Sequence, residues 1–276
     1  DGSVTLPIDR TFAYLNRRWV EVTTSANPPG GSGGDLVFDS HRSVSLRYGG
    51  TGDYPGLWEL NGSTKTWRRL PQSNPWPGFA LYDSMAFDSA RGRMLFLPTW
   101  DSSDISLHAW EWDGTAWHDR SVAGEPSWRM DSAVAYDAER AEFVVFGGLK
   151  RANPSDPPWS ANILTNETWT WDGQVWTQKT PQLSPPPRYR GTLTYDPDRR
   201  RMVLYGGVED GQLPADTWEW DRQNWYRVAG VVGAPYQPYR VVTSYDPTLR
   251  RMVAYGWGTT AEYYVLGNAC TSGADC

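Results

Sequence analysis

Lysine is scarce in this chain of 276 residues: there are 3 lysines against 23 arginines, and the formal net charge is −6. Nucleic-acid binding needs a concentrated basic face that neutralises phosphates. The arginines are instead scattered along the chain or sit in short clusters next to turns. We therefore expect no nucleic-acid partner.

Cysteine is almost absent, and both residues, Cys270 and Cys276, fall in the segment NACTSGADC at the end of the sequence. Two interpretations stay open. They form one small disulfide loop, or they begin a Cys-rich segment that has been removed. In either case residues 268–276 are a tail, and an oxidising, extracytoplasmic location is favoured.

Long apolar runs are missing as well. No stretch of about 18 apolar residues occurs, so we expect no membrane span. No basic start followed by an apolar segment occurs at residue 1. The chain is thus either cytosolic or a mature chain without its leader, and the cysteines favour a secreted or cell-surface protein. Helical periodicity is also lacking, so helices should be rare.

Familiar catalytic motifs are absent too. There is no P-loop and no GxGxxG after a strand. The histidines, His41, His108 and His118, do not have metal-ligand spacing. We therefore expect no metal and no cofactor.

Aromatic residues, glycine and proline are abundant, with 17 Trp, 15 Tyr, 27 Gly and 21 Pro. Aromatic residues favour strands, and spread glycine and proline favour tight turns. This composition predicts many short strands.

Two sequence markers repeat about every 50 residues. The first is an aromatic residue followed by Asp, with steps of 49, 49, 59 and 50 residues, at Asp39, Asp88, Asp137, Asp196 and Asp246. The second is a Trp that closes an aromatic hairpin, with steps of 48, 50, 59 and 49 residues, at Trp19, Trp67, Trp117, Trp176 and Trp225. The long step holds an insertion at 149–167, for which an unstructured or lid-like loop is the favoured interpretation.

Each repeat predicts four strands. Strand a ends at the aromatic-Asp pair, and strand b is the apolar run that usually precedes Gly-Gly. Strand c carries paired aromatic residues, and strand d begins near the closing Trp. Asn61-Gly62, Asp113-Gly114 and Asp172-Gly173 predict hairpin turns between c and d. An Asp that recurs in every repeat is interpreted as structural, binding backbone N–H groups of the a–b turn.

This unit resembles the kelch repeat of β-propellers, from about residue 11 to residue 266. The resemblance implies one all-β propeller domain over 1–267, built from four-stranded blades. The chain begins with strands c and d and ends with strands a and b. Five blades follow if the N-terminal strands close the C-terminal blade. Residues 261–267 also look like a strand c, so six blades are the alternative.

The resemblance also implies where ligands meet the fold, at the d–a and b–c loops around one mouth of the ring. Arginine and aromatic residues in these loops commonly contact acidic peptides in kelch proteins. Arg129, Arg190 and Arg240 have an alternative role, as framework residues packed on a neighbouring Trp. The candidate ligand-binding residues are Tyr54, Tyr82, Trp100, Trp128, Arg129, Arg190, Tyr239, Arg240 and Trp257.

These residues favour an extracellular binding module that recognises a protein, peptide or glycan at the loop face. One alternative is a carbohydrate-active enzyme of mutarotase, epimerase or lyase type, which needs a carboxylate or a His with a shifted pKa at the mouth. Another is a subunit that self-assembles into a surface layer or filament. Candidate carboxylates for the enzyme are Asp53, Asp101, Glu209 and Asp210.

Overall fold

A computed structural model describes residues 11–15, 18–28, 34–49, 56–71, 75, 77, 84–98, 107–153, 162–228, 241–248, 250–255 and 263–266. Within these ranges the regular secondary structure consists of β-strands, and no α-helix occurs. The prediction of an all-β chain with short strands is confirmed.

The chain groups into two compact units. The first comprises Asp1–Asp101 with His108–Arg120, and the second comprises Ser102–Leu107 with Ser121–Cys276.

The first unit contains a two-stranded hairpin, β1-β2, and two four-stranded antiparallel sheets. Sheet 1 has the order β3-β4-β5-β6, and sheet 2 has the order β7-β8-β9-β10. The strands are β1 (Thr11–Leu15), β2 (Arg18–Val22), β3 (Asp35–Asp39), β4 (Val44–Tyr48), β5 (Leu57–Asn61), β6 (Thr66–Arg69), β7 (Ser84–Asp88), β8 (Arg93–Leu97), β9 (Trp110–Trp112) and β10 (Trp117–Asp119).

The second unit contains sheet 3 (β12-β13-β16-β17), sheet 4 (β18-β19-β20-β21), sheet 5 (β22-β23-β24) and a small sheet β11-β14-β15. All pairings within them are antiparallel. The strands are β11 (Arg129–Met130), β12 (Ala133–Asp137), β13 (Glu142–Phe146), β14 (Leu149–Arg151), β15 (Asn162–Leu164), β16 (Thr168–Trp171), β17 (Trp176–Lys179), β18 (Thr192–Asp196), β19 (Arg201–Tyr205), β20 (Thr217–Trp220), β21 (Trp225–Val228), β22 (Val242–Asp246), β23 (Arg251–Tyr255) and β24 (Tyr263–Leu266).

The predicted order of strands a, b, c and d is present in sheets 1 to 4. Sheet 5 has strands a and b, and β24 pairs with β23 as its third strand. The sequence offered two candidates for strand c of this sheet, β24 and β1. In the structure β1 pairs with β2 in a sheet of two strands.

The recurring Asp organises the a–b turn, as predicted. Asp88 is fully buried. Its Oδ1 accepts the backbone N–H groups of Ala90 and Arg91, both at 2.8 Å. The Arg91 guanidinium binds the other carboxylate oxygen and also reaches Glu111 on strand c at 3.3 Å. Because this carboxylate is fully used, the Asp is a framework residue.

Neighbouring sheets pack face to face within each unit. Strand a of one sheet contacts strand a of the next, for β3 with β7, β12 with β18, and β18 with β22. Between sheets 3 and 4, Ala133 and Phe146 lie in one core cluster with Leu193 and Trp225. Stacked antiparallel sheets whose first strands are adjacent are propeller-like packing.

Candidate functional site

The d–a and b–c connections lie at one end of each sheet, named here the loop end. The a–b turns lie at the other, named here the turn end. In sheet 3 the strands β12 and β13 are antiparallel, so the turn after Asp137 and the segment after Phe146 are at opposite ends. The described part of the loop end belongs mainly to sheets 3 and 4, and the candidate site is built from it.

Arg129 is the centre of the loop end of sheet 3. Its side chain is fully buried, and its Nη2 donates to Glu167 Oε2 at 2.6 Å. Its Nε donates to the carbonyl of Ser127 at 3.1 Å, and its Nη1 to that of Gly147 at 3.5 Å. The guanidinium thus joins the d–a loop, the Gly-Gly turn and the residue before strand c. The sequence offered a framework role for Arg129 packed on a neighbouring Trp, alongside ligand contact, whereas the contacts in the structure are with Glu167 and two backbone carbonyls.

Arg188 repeats this arrangement in sheet 4. It is 1% exposed. Its Nη1 donates to Asp216 Oδ1 at 2.5 Å and to the carbonyl of Gly206 at 3.1 Å. Its Nε donates to the carbonyl two residues earlier, that of Pro186, at 3.2 Å. The counterpart of Arg129 is therefore Arg188, whereas the sequence aligned Arg129 with Arg190.

Arg190 makes a different connection. Its Nε donates to Asp131 Oδ2 at 3.0 Å, and its backbone N–H donates to the carbonyl of Asp131 at 2.8 Å. Arg190 and Asp131 hold the same register position in sheets 4 and 3, two residues before strand a. Arg190 therefore links the two d–a loops.

The two described aromatic rings of the d–a loops carry arginines on one face. The Arg151 guanidinium lies 4.9 Å from the ring centroid of Trp128, which is 3% exposed. The Arg190 guanidinium lies 5.1 Å from the ring centroid of Tyr189. Such cation–π contacts stabilise the pair but occupy the ring face on which a sugar would stack.

A third charged residue completes each buried ion pair. Lys150 Nζ donates to Glu167 Oε1 at 2.5 Å in sheet 3. In sheet 4 the equivalent residue is an acid, and Glu209 Oε2 accepts from Arg188 Nη2 at 3.2 Å. The strand register shows that Lys150 and Glu209 are equivalent. In sheet 3, Arg129 pairs with Lys150. In sheet 4, Tyr189 bridges to Val208 in an antiparallel arrangement, so the preceding Arg188 lies opposite the following Glu209.

The insertion is an elongated version of a tight hairpin. In sheet 4, Glu209 bridges to Gln212 around Asp210-Gly211, whose φ angles are +43° and +75°. In sheet 3, Lys150 pairs with Ile163, which leaves twelve residues instead of two at the tip. The ten extra residues account for the 59-residue step. The described base of the insertion is therefore a hairpin, β14-β15, paired with β11, and not the unstructured loop that the sequence favoured.

The Gly-Gly turn is required by close backbone approach. Gly147 has φ +69°, and a Cβ there would lie 2.5 Å from the carbonyl oxygen of Arg188. The next residue, Gly148, donates its N–H to that same carbonyl at 2.8 Å. Glycine is therefore fixed by geometry, since a side chain would push the d–a loop of sheet 4 away.

The carboxylates of the two networks are strongly acidic. Burial by itself raises the pKa of Glu167, but hydrogen bonds from Lys150, Arg129 and Trp169 outweigh it and lower the pKa to about 2. The pKa of Asp216 is also lowered, because hydrogen bonds from Arg188 and Trp218 outweigh the effect of burial. Both acids are charged anchors for buried arginines.

The sequence analysis did not identify Glu167 and Asp216 as the ion-pair partners of Arg129 and Arg188. Each lies two residues before a strand-c Trp whose indole Nε1 it accepts, at 3.0 Å from Trp169 and 2.8 Å from Trp218. The segments ETW and DTW carry this signal. An acid at that spacing in both repeats, together with an Arg before each strand a, could have predicted the ion pairs.

His118 and His41 each have a polar partner. His118 Nε2 lies 2.7 Å from Asp113 Oδ2 in the same hairpin, and His41 Nε2 lies 2.7 Å from the carbonyl of Ser89. Across the described ranges, no three His, Cys, Asp or Glu side chains come together as a metal site.

Several predicted residues lie outside the described residues. They are the ligand-binding candidates Tyr54, Tyr82, Trp100, Tyr239, Arg240 and Trp257, the carboxylates Asp53 and Asp101, and the cysteines Cys270 and Cys276.

Comparisons with known proteins add no family. A scan against models of protein families found no match, and a search of curated proteins found none. The resemblance to kelch propellers therefore stays a prediction. None of the described segments is a helix long and apolar enough to span a bilayer.

Proposed function

We propose that sheets 1 to 5 are the blades of a kelch-like propeller, and that β1 and β2 are the outer strands of the blade that precedes sheet 1. A hydrogen bond from an indole to a threonine hydroxyl, which occurs twice, supports this. Trp225 Nε1 of sheet 4 donates to Thr168 Oγ1 of sheet 3 at 2.9 Å. Trp67 Nε1 of sheet 1 donates to Thr11 Oγ1 at the same distance. Thr11 thus has the role of the first residue of a strand c.

A buried hydroxyl supports closure with five blades. Thr217 begins strand c of sheet 4, as Thr168 does in sheet 3, and its Oγ1 is buried without a hydrogen-bond partner among the described residues. Trp19 pairs with Tyr14 in the register in which Trp225 pairs with Trp220. If β1 and β2 complete sheet 5, Trp19 takes the sequence position that Trp225 has in sheet 4.

Exposed apolar residues mark the faces that this closure would cover. Leu36 on strand a of sheet 1 is 59% exposed, whereas its counterpart Leu193 in sheet 4 is 6% exposed. Val242 on strand a of sheet 5 is 66% exposed, against 4% for its counterpart Ala133. Leu193 and Ala133 belong to one buried cluster between sheets 4 and 3.

We infer that the protein is a secreted or cell-surface binding module that recognises a protein or peptide at the loop end. The observation that supports this proposal is that the acidic residues at the loop end form ion pairs with buried arginines. Glu167 and Asp216 are bound by buried arginines, and the pKa of Glu167 is about 2. A general acid or base works best with a pKa near the operating pH. These acids instead fit a rigid, charged surface.

The aromatic residues favour a polypeptide over a glycan. Sugar recognition uses an open ring face, and one face of each of Trp128 and Tyr189 lies under a guanidinium. Lys150 and Glu209 keep polar atoms at the surface on rigid supports. Rigid support lowers the entropic cost of binding.

The test is parallel selection on the purified full chain. A phage-displayed library of random dodecapeptides is panned on the immobilised protein, and an array of mono- and oligosaccharides is probed with the same preparation. We expect enriched peptides, and loss of their binding in the variant Lys150→Glu. The matched control is Arg140→Glu, the same charge change at the exposed turn end of sheet 3. Binding only to glycans, or enriched peptides that are weakened by Arg140→Glu instead of by Lys150→Glu, would contradict the proposal.

A further inference from the structure

We propose, on the basis of the proposed function, that Lys150 and Glu209 determine which polypeptide is bound. Lys150 binds an acidic residue of the ligand, and Glu209 binds a basic residue. The ligand class is then a peptide segment that carries both signs of charge. Lys150 and Glu209 occupy the b–c position that follows Gly-Gly in sheets 3 and 4.

The framework beneath the two residues is the same. Arg129 and Arg188 are both almost fully buried, and each is bound by one acid that precedes strand c. Each buried pair is electrically neutral. The residue at the b–c position therefore sets the charge beside each pair, which is positive at Lys150 in sheet 3 and negative at Glu209 in sheet 4. In sheet 4 the exposed Arg227 also lies 3.9 Å from Asp216.

The same two residues reach solvent. The side chains of Lys150 and Glu209 are 26% and 33% exposed, whereas those of Arg129 and Arg188 are 0% and 1% exposed. A ligand at the loop end can therefore contact the third residue of each network but not the arginine beneath it. Charged groups at the rim of an interface set partner choice more than total affinity.

The chain itself shows that either sign fits on this framework. Sheet 3 holds a lysine above its Arg–acid pair, and sheet 4 holds a glutamate above the equivalent pair. K150E places an acid at the b–c position of sheet 3, as in sheet 4, and E209K places a lysine at the b–c position of sheet 4, as in sheet 3. Charge reversal at these positions can therefore change recognition without removing the fold.

The experiment pans the random dodecapeptide library on the full chain and on four variants: K150E, E209K, the double variant, and R140E as the control with an exposed charge at the turn end. Thermal unfolding is measured first, and we expect K150E and E209K to unfold within about 3 °C of the wild-type chain. K150Q replaces K150E if the reversed charge prevents folding.

We expect wild-type peptides to carry both an acid and a base. K150E should enrich peptides in which the acid is replaced by a base, and E209K should show the opposite change. A synthetic wild-type peptide should bind K150E about tenfold more weakly, and R140E unchanged. Peptides with the same charge pattern on all variants would overturn this inference but leave the proposed function standing. No enriched peptide on any variant would overturn both.

Discussion

Arg222 of sheet 4 donates its Nε to Asp137 Oδ2 of sheet 3 at 3.0 Å. In sheets 1, 2 and 4 the turn Asp binds the arginine three residues later, as Asp196 binds Arg199 at 2.8 Å. Sheet 3 has Arg140 at that place, and its side chain is exposed. The neighbouring sheet thus supplies the missing cation and ties the two sheets together.

Removing that cation should destabilise the second unit. Arg222→Met leaves the buried carboxylate of Asp137 with only its backbone N–H donors, so we expect a loss of about 2–4 kcal/mol in the free energy of unfolding. Arg140→Met is the matched control and should change it by less than about 0.5 kcal/mol. Urea unfolding followed by Trp fluorescence measures both. Equal effects of the two variants would show that the pair between the sheets carries no stability.

The Glu167 network predicts a stability that depends on acid pH. Its pKa is lowered from an ordinary 4.5 to about 2 in the folded state, so the folded chain binds the proton less tightly than the unfolded chain. The stabilisation is present above pH about 4.5 and is lost as the pH falls towards 2.

Glu167→Gln should remove this dependence. We expect the variant to be less stable than the wild-type chain by about 3 kcal/mol at pH 7, and the difference to shrink between pH 4.5 and pH 2. Glu142→Gln, which changes an acid of β13 outside these networks, is the control. Urea unfolding at a series of pH values gives the comparison, and a difference that stays constant down to pH 2 would contradict the account.

Asp35 should make the stability change with pH in the opposite direction. Burial raises its pKa to about 6, and hydrogen bonds from the N–H groups of Leu36 and Met85 only partly oppose this. The folded state then holds the proton more tightly than the unfolded state. Its contribution is fully present below pH about 4 and is lost as the pH rises through 6. Asp35→Asn should flatten the stability curve between pH 4 and pH 6, and an unchanged slope would show that Asp35 does not titrate in this range.

The indole–hydroxyl bond provides a test of ring closure. A double-mutant cycle of Trp225→Phe with Thr168→Val should give a coupling energy of about 1 kcal/mol, because their bond is present in the structure. If β1 and β2 complete sheet 5, the cycle of Trp19→Phe with Thr217→Val should give a similar coupling. Zero coupling in the second cycle, with the first intact, would contradict closure by the N-terminal strands.

The repeat made much of the fold predictable. The turn Asp, the c–d hairpin and Gly-Gly each answer a local backbone requirement, so a single sequence reveals them by recurrence. Asp88 and its two backbone N–H donors illustrate this. The pairing of β24 with β23 was less predictable, because both β1 and β24 match the sequence pattern of strand c.

The candidate site was predicted less well, because its contacts join residues that are distant in sequence. Arg129 and Glu167 are 38 residues apart, and Arg188 and Asp216 are 28 apart. The segment PPPRYR offers two arginines, and only three-dimensional register shows that the first one is buried. A buried framework arginine and a surface arginine look the same in one sequence.

Hydrogen–deuterium exchange of the full chain, with and without an enriched dodecapeptide, tests the central claim most directly. It reports which backbone amides a bound ligand protects. We predict slower exchange at the loop end, in residues 128–131, 149–151, 188–190 and 208–212, and no change in the a–b turns at 138–141 and 197–200. Protection confined to those turns would contradict the assignment of the loop end as the binding surface.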